Sequence, residues 1–223
     1  MDLDLTLYVV LDPRLTAGRA LMHVARAALQ GGAAVLQLRD KEASPRELVA
    51  AADVLAALTR AAGARFVVND HVDIAAAVGA GVHLGPDDLA VSAARTRLGP
   101  EATIGFSAGT SVEARDAERA GADYLGTGAV YGTSSKADAS APIGIDGLES
   151  VLRATTLPVV AIGGIAPGRA ASCIVAGAAG VAVITAVTLA ADVAGAARAL
   201  RDEVEAARSG QRGHAAPPGR QRI

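Results

Sequence analysis

The sequence predicts a single (β/α)8 TIM barrel of the α/β fold class, and three observations favour it. Short aliphatic runs alternate with helical stretches rich in Ala, Leu, Arg and Glu, which gives eight strand-then-helix units in about 205 residues. Aromatic residues are scarce, with no Trp, two Phe and three Tyr, and aliphatic strands are typical of parallel sheets buried on both faces. The length of 223 residues suits one barrel domain.

Each predicted strand is a short apolar run that lies between two helical stretches or their turns. The strands are predicted at residues 5–11, 33–38, 65–69, 81–84, 103–107, 123–127, 158–162 and 180–185. The helices are predicted at residues 19–30, 45–62, 72–78, 88–98, 112–120, 145–154, 167–176 and 187–207. These elements place one catalytic barrel domain over residues 1–208.

A repeated Gly-Ala pair supports this alternation of helices and strands. The pair introduces the second, fourth, sixth and eighth strands, and it occurs at residues 32–33, 79–80, 121–122 and 177–178. A glycine after the last helical turn supplies the left-handed conformation that returns the chain to the sheet. The repeat predicts architecture and carries no information about function.

The last stretch, residues 209–223, is rich in Gly, Pro, Arg and Gln and has almost no apolar side chains. Because so little apolar surface cannot offset the entropy of ordering the segment, we predict a disordered basic tail. The chain as a whole has a formal net charge of −2, which argues against a broad nucleic-acid-binding surface.

The composition also indicates the cellular compartment of the protein and whether it interacts with a membrane. Cys173 is the single cysteine, so an intrachain disulfide is excluded, and its Ala-rich surroundings favour a small buried residue. The N-terminus lacks a basic segment followed by an apolar one, and no apolar run has the length of a membrane span. We therefore expect a cytoplasmic protein without a membrane partner. The sequence leaves open whether it forms a homo-oligomer.

Active-site residues of a barrel lie at the carboxyl ends of its strands. The second strand ends in Gln37-Leu38-Arg39-Asp40-Lys41, and alternation turns Gln37 and Arg39 to one side. We place both at the barrel mouth, since the outer face would bury a bare guanidinium. Arg39 would hold an anionic oxygen in a fork and Lys41 would add a point charge. The alternative is a surface salt bridge among residues 39–42.

Two carboxylates follow the third and fourth strands, at Asp70 and Asp88. Neighbouring strand ends bring them close, and two carboxylates without a His/Cys cluster suit a hard cation, most naturally Mg²⁺. The alternative is that Asp87 or Asp88 caps the following helix. His83, at the end of the fourth strand, is left without a role.

The remaining strand ends carry hydroxyl groups and glycines. Ser107 is a candidate donor to a phosphate oxygen, and Thr110 or Ser111 is expected to cap the next helix. The loop after the sixth strand, with Lys136, resembles an anion cradle, and the glycines and hydroxyl after strands seven and eight suit a backbone phosphate site. The sequence thus predicts a cationic, metal-capable anion region and a second, neutral one.

Six short motifs, in order at the predicted strand ends, resemble the thiamine-phosphate synthase family. They are Gln37-Leu38-Arg39-Asp40-Lys41, Val68-Asn69-Asp70, Gly81-Val82-His83-Leu84-Gly85, Gly105-Phe106-Ser107-Ala108, Thr133-Ser134-Ser135-Lys136 and Ala161-Ile162-Gly163-Gly164-Ile165. Each motif alone is weak, and the ordered set is specific. The resemblance covers roughly residues 5–190.

The resemblance implies a transferase of thiamine biosynthesis. It would join 4-amino-2-methyl-5-hydroxymethylpyrimidine diphosphate to hydroxyethylthiazole monophosphate, or its carboxylated form, in a Mg²⁺-assisted dissociative substitution that releases diphosphate. The residues that match pyrimidine-diphosphate contacts are Gln37, Leu38, Arg39, Asp40, Lys41, Asn69, Ser107 and Lys136. The residues that match thiazole-phosphate contacts are Thr133, Ser134, Ser135, Gly164, Ile184 and Thr185. Asp70 and Asp88 match the magnesium ligands, and the expected catalytic residues are Arg39, Lys41, Ser107 and Lys136.

The chain departs from the family pattern at Gly109, where His is usual, and at Gly132, where Pro is usual. Ser135 and Thr185 exchange one hydroxyl residue for another and keep the donor. A related thiazole tautomerase is one alternative, but that group relies on the histidine that Gly109 replaces. A non-catalytic phosphate-binding barrel is the other alternative, and the two carboxylates argue against it.

Overall fold

A computed structural model of the chain describes residues 3–133 and 141–214, with side chains described as far as residue 211. Eight strands in this part of the chain form a closed parallel barrel in sequence order. They are β1 Leu7–Leu11, β2 Val35–Leu38, β3 Arg65–Asn69, β4 Gly81–Leu84, β5 Ile104–Ser107, β6 Tyr124–Thr127, β7 Val159–Ile162 and β8 Gly180–Val183. The barrel closes where β1 pairs with β8, and the predicted fold is therefore confirmed.

Helices connect the strands and surround the barrel. They are α1 Leu21–Gln30, α2 Pro45–Ala61, α3 Val72–Val78, α4 Val91–Leu98, α5 Ser111–Arg119, α6 Gly144–Leu152, α7 Ala170–Val175, α8 Thr185–Thr188 and α9 Val193–His214. A short 3-10 helix, Pro13–Leu15, follows β1. None of the helices in the described part of the chain has both the length and the apolar character needed to cross a bilayer.

Alternation along the strands divides the buried side chains into two layers. The larger layer packs between the strands and the helices, and it includes Leu36 and Leu38 of β2. The smaller layer fills the barrel interior, and it includes Tyr8, Val35 and Tyr124. Because side chains on a strand alternate, Gln37 shares the inner face with Val35. The carboxyl ends of all eight strands consequently meet at one mouth.

Local sequence signals explain how the helices begin and end. Ser44 and Glu47 form a capping box at the start of α2, and Thr110 and Glu113 form another at the start of α5. Of the two residues predicted to cap this helix, Thr110 and Ser111, the cap is Thr110. The glycines of the repeated Gly-Ala pairs all have positive φ, as the left-handed turn requires; they are Gly32, Gly79, Gly121 and Gly177.

The end of the chain differs from the prediction. The last helix was expected at residues 187–207 but is divided into α8 and α9, because Asp192 accepts a hydrogen bond from the backbone N–H of Gly195 and starts a second helix. α9 also continues to His214, so residues 209–214 of the predicted disordered tail are helical. Gln211 donates to the carbonyls of Ile174 and Val175 and holds this last part of the helix against α7. Residues 215–223 lie outside the described part of the chain.

Candidate active site

A cavity of about 300 Å³ opens at the barrel mouth, on the side formed by β5 to β8. Five of the predicted site residues line it, namely Ser107, Thr133, Gly164, Ile184 and Thr185. Pro86 and Glu113 also contribute to its wall, together with small residues of the loops. The structure thus brings one of the predicted pyrimidine contacts together with the described thiazole-phosphate contacts.

The glycines after β7 allow the loop after β6 to lie directly against them. Gly163 and Gly164 have φ angles of 98° and 64°. A Cβ atom on Gly164 would lie 2.4 Å from the carbonyl oxygen of Gly132, so no side chain fits there. The N–H of Tyr131 donates to the carbonyl of Gly163 at 2.9 Å and fixes this approach. The paired glycines therefore position the described start of this loop, and both of them line the cavity.

The remaining predicted residues of the anion cradle lie outside the part of the chain that the structure describes. Ser134, Ser135 and Lys136 fall in the segment 134–140, which the structure does not describe. Thr133, immediately before it, lines the cavity. The predicted roles of the three residues that follow Thr133 consequently stay predictions.

Arg39 lies buried at the end of β2 and is ion-paired to a residue that the sequence reasoning missed. Its Nη1 atom lies 3.0 Å from Oδ2 of Asp12, which is fully buried after β1. Burial would raise the pKa of Asp12, but hydrogen bonds from Arg14 and the charges of Arg14 and Arg39 outweigh it and hold that pKa below its usual range. The alternative of a surface salt bridge within residues 39–42 is wrong for Arg39. A carboxylate directly after β1, at the same mouth, was the signal available in the sequence.

The other residues at the end of β2 serve different purposes. Gln37 is buried in the barrel interior and donates to the hydroxyl of Tyr8 at 2.8 Å. Leu38 packs in the outer layer, so any contact with a ligand would be made through its backbone. Asp40 accepts hydrogen bonds from the backbone N–H groups of Glu42 and Ala43, which closes the turn after the strand. Lys41 is exposed and acts electrostatically on Asp70.

Asp70 and Asp88 come together at the ends of β3 and β4, as predicted. Burial, a hydrogen bond with Asp88 and the negative charge of Asp88 raise the pKa of Asp70 to about 6, and Lys41 opposes this rise. Asp88 also accepts a hydrogen bond from the N–H of Gly85 at 2.6 Å. The capping alternative is wrong for Asp88, since α4 begins at Val91 without a side-chain cap. Asn69 lies beside them, opposite His83 in the β3–β4 register.

This pair fits a hard divalent cation. Two neighbouring carboxylates repel each other when both are ionised, and a cation bound to both would relieve that repulsion. Asp70 and Asp88 are two ligands only, and no group of three or more His, Cys, Asp or Glu side chains among the described residues is arranged to hold a metal ion. Oxygen donors without sulfur or imidazole suit Mg²⁺ rather than zinc.

Ser107 connects the cavity to a row of buried and half-buried polar side chains that the sequence reasoning did not find. Its hydroxyl lies 2.9 Å from Nε2 of His83, and Nδ1 of His83 lies 3.0 Å from the hydroxyl of Tyr124. The hydroxyl of Tyr124 is in turn 2.9 Å from that of Tyr8. These residues are far apart in the sequence, and only closure of the barrel brings them together.

Gly109 lies on the cavity wall and leaves space for a side chain. A Cβ atom there would make only an ordinary contact, at 3.6 Å, with Oε2 of Glu113. Glu113 already accepts hydrogen bonds from the N–H groups of Gly109 and Thr110. The departure from the family pattern at this position therefore leaves the surrounding backbone intact.

Comparisons with known proteins show which family this chain resembles. Residues 7–187 match the protein family described as thiamine monophosphate synthase. The thiamine-phosphate synthase of Moorella thermoacetica is 54% identical over 203 residues, covering 91% of this chain and 97% of that protein. The thiamine-phosphate synthase of Natronomonas pharaonis is 49% identical over 208 residues, covering 92% and 97%. A solved structure, thiamine phosphate pyrophosphorylase from Pyrococcus furiosus, has a TM-score of 0.84 and 41% identity, covering 92% of this chain and 98% of that one.

Proposed function

This chain belongs to the thiamine monophosphate synthase family, and we propose that it catalyses the formation of thiamine phosphate at its barrel mouth. In this proposal the mouth contains the two anion-binding regions that were predicted from the sequence. The chain is a transferase of thiamine biosynthesis, and the resemblance carried by its six ordered motifs is confirmed. The assignment of roles to individual residues is our proposal.

The observation that carries this proposal is the division of the mouth into two unlike halves. Asp70, Asp88, Arg39 and Lys41 gather charge at the ends of β2 to β4. The cavity beside them, which Gly164 helps to line, offers mainly backbone and hydroxyl groups, and Glu113 is the one charged side chain among its described lining residues. A diphosphate with its metal suits the first half, and a monophosphate ester suits the second.

In the charged half, Asp70 and Asp88 would hold Mg²⁺ through their carboxylate oxygens. A Mg²⁺ ion held there would supply positive charge to offset the negative charge of the diphosphate leaving group. Arg39, already fixed by its ion pair with Asp12, presents its remaining N–H groups in a rigid orientation. Lys41, and Lys136 as the resemblance implies, would add positive charge. Preorganised charge of this kind acts most strongly on the leaving group as its negative charge develops.

In the substitution, the bond between the pyrimidine methylene carbon and the diphosphate oxygen breaks, and diphosphate carries away the electron pair. The thiazole nitrogen then forms a bond to that carbon with its own lone pair. Gln37, Asn69 and Ser107 would orient the pyrimidine, with any contact by Leu38 or Asp40 made through the backbone. Thr133, Ser134, Ser135, Gly164, Ile184 and Thr185 would hold the thiazole phosphate. The reaction needs no protein nucleophile and no general base.

We propose that the protein acts in the cytoplasm on small phosphorylated substrates, without a nucleic-acid or membrane partner. A homo-oligomer is compatible with this account, since every proposed site residue belongs to one chain. The thiazole tautomerase alternative lacks its histidine at Gly109. The non-catalytic alternative does not explain the paired carboxylates, because phosphate binding alone does not require them.

The test is incubation of the purified protein with both phosphorylated substrates, with Mg²⁺ and with excess EDTA. We expect thiamine phosphate and diphosphate in equal amounts with Mg²⁺ and almost none with EDTA. A reaction without the pyrimidine substrate tests for tautomerase activity. Binding of both ligands without product would support the non-catalytic alternative and contradict the proposal.

A further inference from the structure

A continuous row of hydrogen bonds crosses the barrel interior and ends at the active-site cavity. We call Gln37, Tyr8, Tyr124, His83 and Ser107 the interior chain. Gln37 Nε2 donates to the Tyr8 hydroxyl at 2.8 Å, and the Tyr8 and Tyr124 hydroxyls are 2.9 Å apart. Tyr124 contacts Nδ1 of His83 at 3.0 Å, and Nε2 of His83 contacts Ser107 at 2.9 Å.

Two inward-facing glycines provide the space for this chain. A Cβ atom on Gly105 would lie 2.1 Å from the ring of Tyr124, and one on Gly126 would lie 3.0 Å from the ring of His83. Neither glycine has a positive φ, so space for the rings, and not backbone conformation, accounts for the missing side chain. The interior of the barrel is thus shaped around the tyrosine and the imidazole.

The bonds have a direction that is set at Gln37. An amide nitrogen only donates, so the Tyr8 hydroxyl accepts from Gln37 and gives its single proton to Tyr124. Tyr124 then gives its proton to Nδ1 of His83. A neutral imidazole that accepts at Nδ1 carries its proton on Nε2, which donates to Ser107. The Ser107 proton is left to point away from His83.

We propose that His83 is a positioning residue, held by the interior chain as the Nε2–H tautomer, which fixes the Ser107 hydroxyl as a hydrogen-bond donor into the cavity. The acceptor would be a substrate oxygen or nitrogen carrying a lone pair. That last step rests on the proposed function, whereas the tautomer and the direction of the chain are properties of the free protein.

The tyrosines are suited to such a chain because they stay protonated. Burial raises the pKa of Tyr8 and of Tyr124 above the ordinary tyrosine value, so each hydroxyl keeps its proton at any physiological pH. Buried hydrogen bonds in a row polarise one another, and a neutral row avoids the cost of a buried charge. Removal of one residue of the interior chain should therefore change the hydrogen bonding of the Ser107 hydroxyl.

The first test reads the tautomer of His83 in the free protein. Protein labelled with ¹⁵N-histidine at pH 8 is studied by long-range ¹H–¹⁵N correlation, and His83 is assigned among the four histidines by its loss in His83→Gln. We expect Nε2 to be protonated and Nδ1 to show the downfield shift of a bare ring nitrogen. A protonated Nδ1 would mean that Ser107 donates inward, and it would overturn the proposal whether or not the protein makes thiamine phosphate.

The second test reverses the chain at its origin. A carboxylate only accepts, so Gln37→Glu should draw the Tyr8 proton toward residue 37 and move the His83 proton to Nδ1. Thr59→Val is the control, because it removes a buried hydroxyl that bonds only to carbonyls of α2. It should leave the tautomer unchanged. A tautomer that stays at Nε2 in a folded Gln37→Glu protein would contradict the proposed direction.

The third test asks whether the chain acts through Ser107. Tyr124→Phe should lower kcat/KM roughly tenfold in the wild-type background and less than about twofold in a Ser107→Ala background. Tyr8→Phe gives the same comparison if Tyr124→Phe does not fold. Equal losses in both backgrounds would show that the tyrosine does not act through Ser107 and would overturn the positioning role.

Discussion

Asp12 and Arg39 form a buried ion pair that joins the ends of β1 and β2, with 3.0 Å between the carboxylate and the guanidinium. The pair holds Arg39, the arginine that we propose binds the diphosphate, in a buried position. Arg14 binds the same carboxylate from the 3-10 helix and extends to Glu42 at the surface. These ion pairs therefore hold the charged side of the mouth in place in the free protein.

Removing Asp12 should be costly because it leaves a buried guanidinium without its partner. Asp12→Ala is expected to lower the free energy of unfolding by about 3–5 kcal/mol, as measured by urea denaturation. Glu42→Gln is the matched control, since its pair with Arg14 is exposed and should contribute less than about 1 kcal/mol.

The same pair predicts a pH dependence. The pKa of Asp12 lies below its ordinary value, so its contribution to stability is present above pH 4 and is lost as the pH falls below the ordinary value of 3.8. The difference between wild type and Asp12→Ala should therefore shrink toward pH 3. A constant difference across that range would mean that lost packing, and not charge, explains the effect.

Asp70 should behave in the opposite way. Its pKa is raised from 3.8 to about 6, so the folded state binds the proton more tightly and stability falls as the pH rises between those values. In EDTA at pH 8, Asp70→Asn should raise Tm by about 2–4 °C, since solvent screening limits the gain to about 1 kcal/mol. Asparagine is chosen because residue 70 has a φ of 65°.

Two controls separate charge from backbone conformation in that experiment. Asp87→Asn, at the exposed neighbour of Asp88, should leave Tm unchanged. The gain from Asp70→Asn should shrink as the pH falls from 8 to 4, whereas a gain from better left-handed backbone geometry would stay constant. Mg²⁺ should stabilise the wild type and have little effect on Asp70→Asn.

Gly164 offers a test of the neutral half of the mouth. A Cβ atom at Gly164 would clash with the carbonyl of Gly132 at 2.4 Å, so Gly164→Ala should displace the loop that begins the anion cradle. We expect KM for the thiazole phosphate to rise roughly tenfold or more, with a smaller change for the pyrimidine substrate. Gly168→Ala is the matched control, since φ there is also positive, at 85°, but a Cβ atom would meet nothing within 4 Å. Equal effects of the two changes would attribute the loss to backbone strain alone.

Gly109 tests the distinction between coupling and tautomerisation. Space is available at this position, so Gly109→His should fold and leave coupling largely intact. The wild type should hardly accelerate interconversion of the tautomeric thiazole carboxylate phosphate, because the histidine that would move the proton is missing. NMR of that compound with the protein and without a pyrimidine substrate is the measurement. Rapid conversion by the wild type would favour the isomerase alternative.

Much of this molecule could be predicted from its sequence because buried parallel strands are continuous apolar runs. β3 and β4 begin and end where predicted, and the glycines of the Gly-Ala pairs adopt the expected turns. The pairing of Asp70 with Asp88 followed from barrel geometry, since neighbouring strands end at the same edge.

What could not be predicted depends on contacts between distant strands. Tyr8 and Tyr124 are 116 residues apart, and Asp12 and Arg39 are 27 apart, so no local pattern indicates either pair. Aromatic residues on a strand indicate only burial. The break between α8 and α9 was missed because the Ala-rich sequence there is favourable for helix throughout, and the Asp192 cap alone marks the new start.

Lys136 lies in the segment that the structure does not describe, so its role rests on the sequence and the resemblance. Lys136→Ala should lower kcat strongly while KM for either substrate changes little, because a charge near the leaving group acts mainly in the transition state. Steady-state kinetics with each substrate varied in turn measures this. A large rise in KM for the thiazole phosphate at unchanged kcat would place Lys136 at the other phosphate.

Calorimetric binding of one ligand at a time tests whether the mouth holds two separate anion-binding regions. Inorganic diphosphate should bind the wild type only with Mg²⁺, and Asp70→Asn should weaken that binding at least about tenfold. Thiazole phosphate should bind equally well with Mg²⁺ or EDTA, should be unaffected by Asp70→Asn, and should be weakened by Gly164→Ala. Diphosphate binding that persists unchanged in EDTA, or loss of both ligands together in Asp70→Asn, would contradict the account.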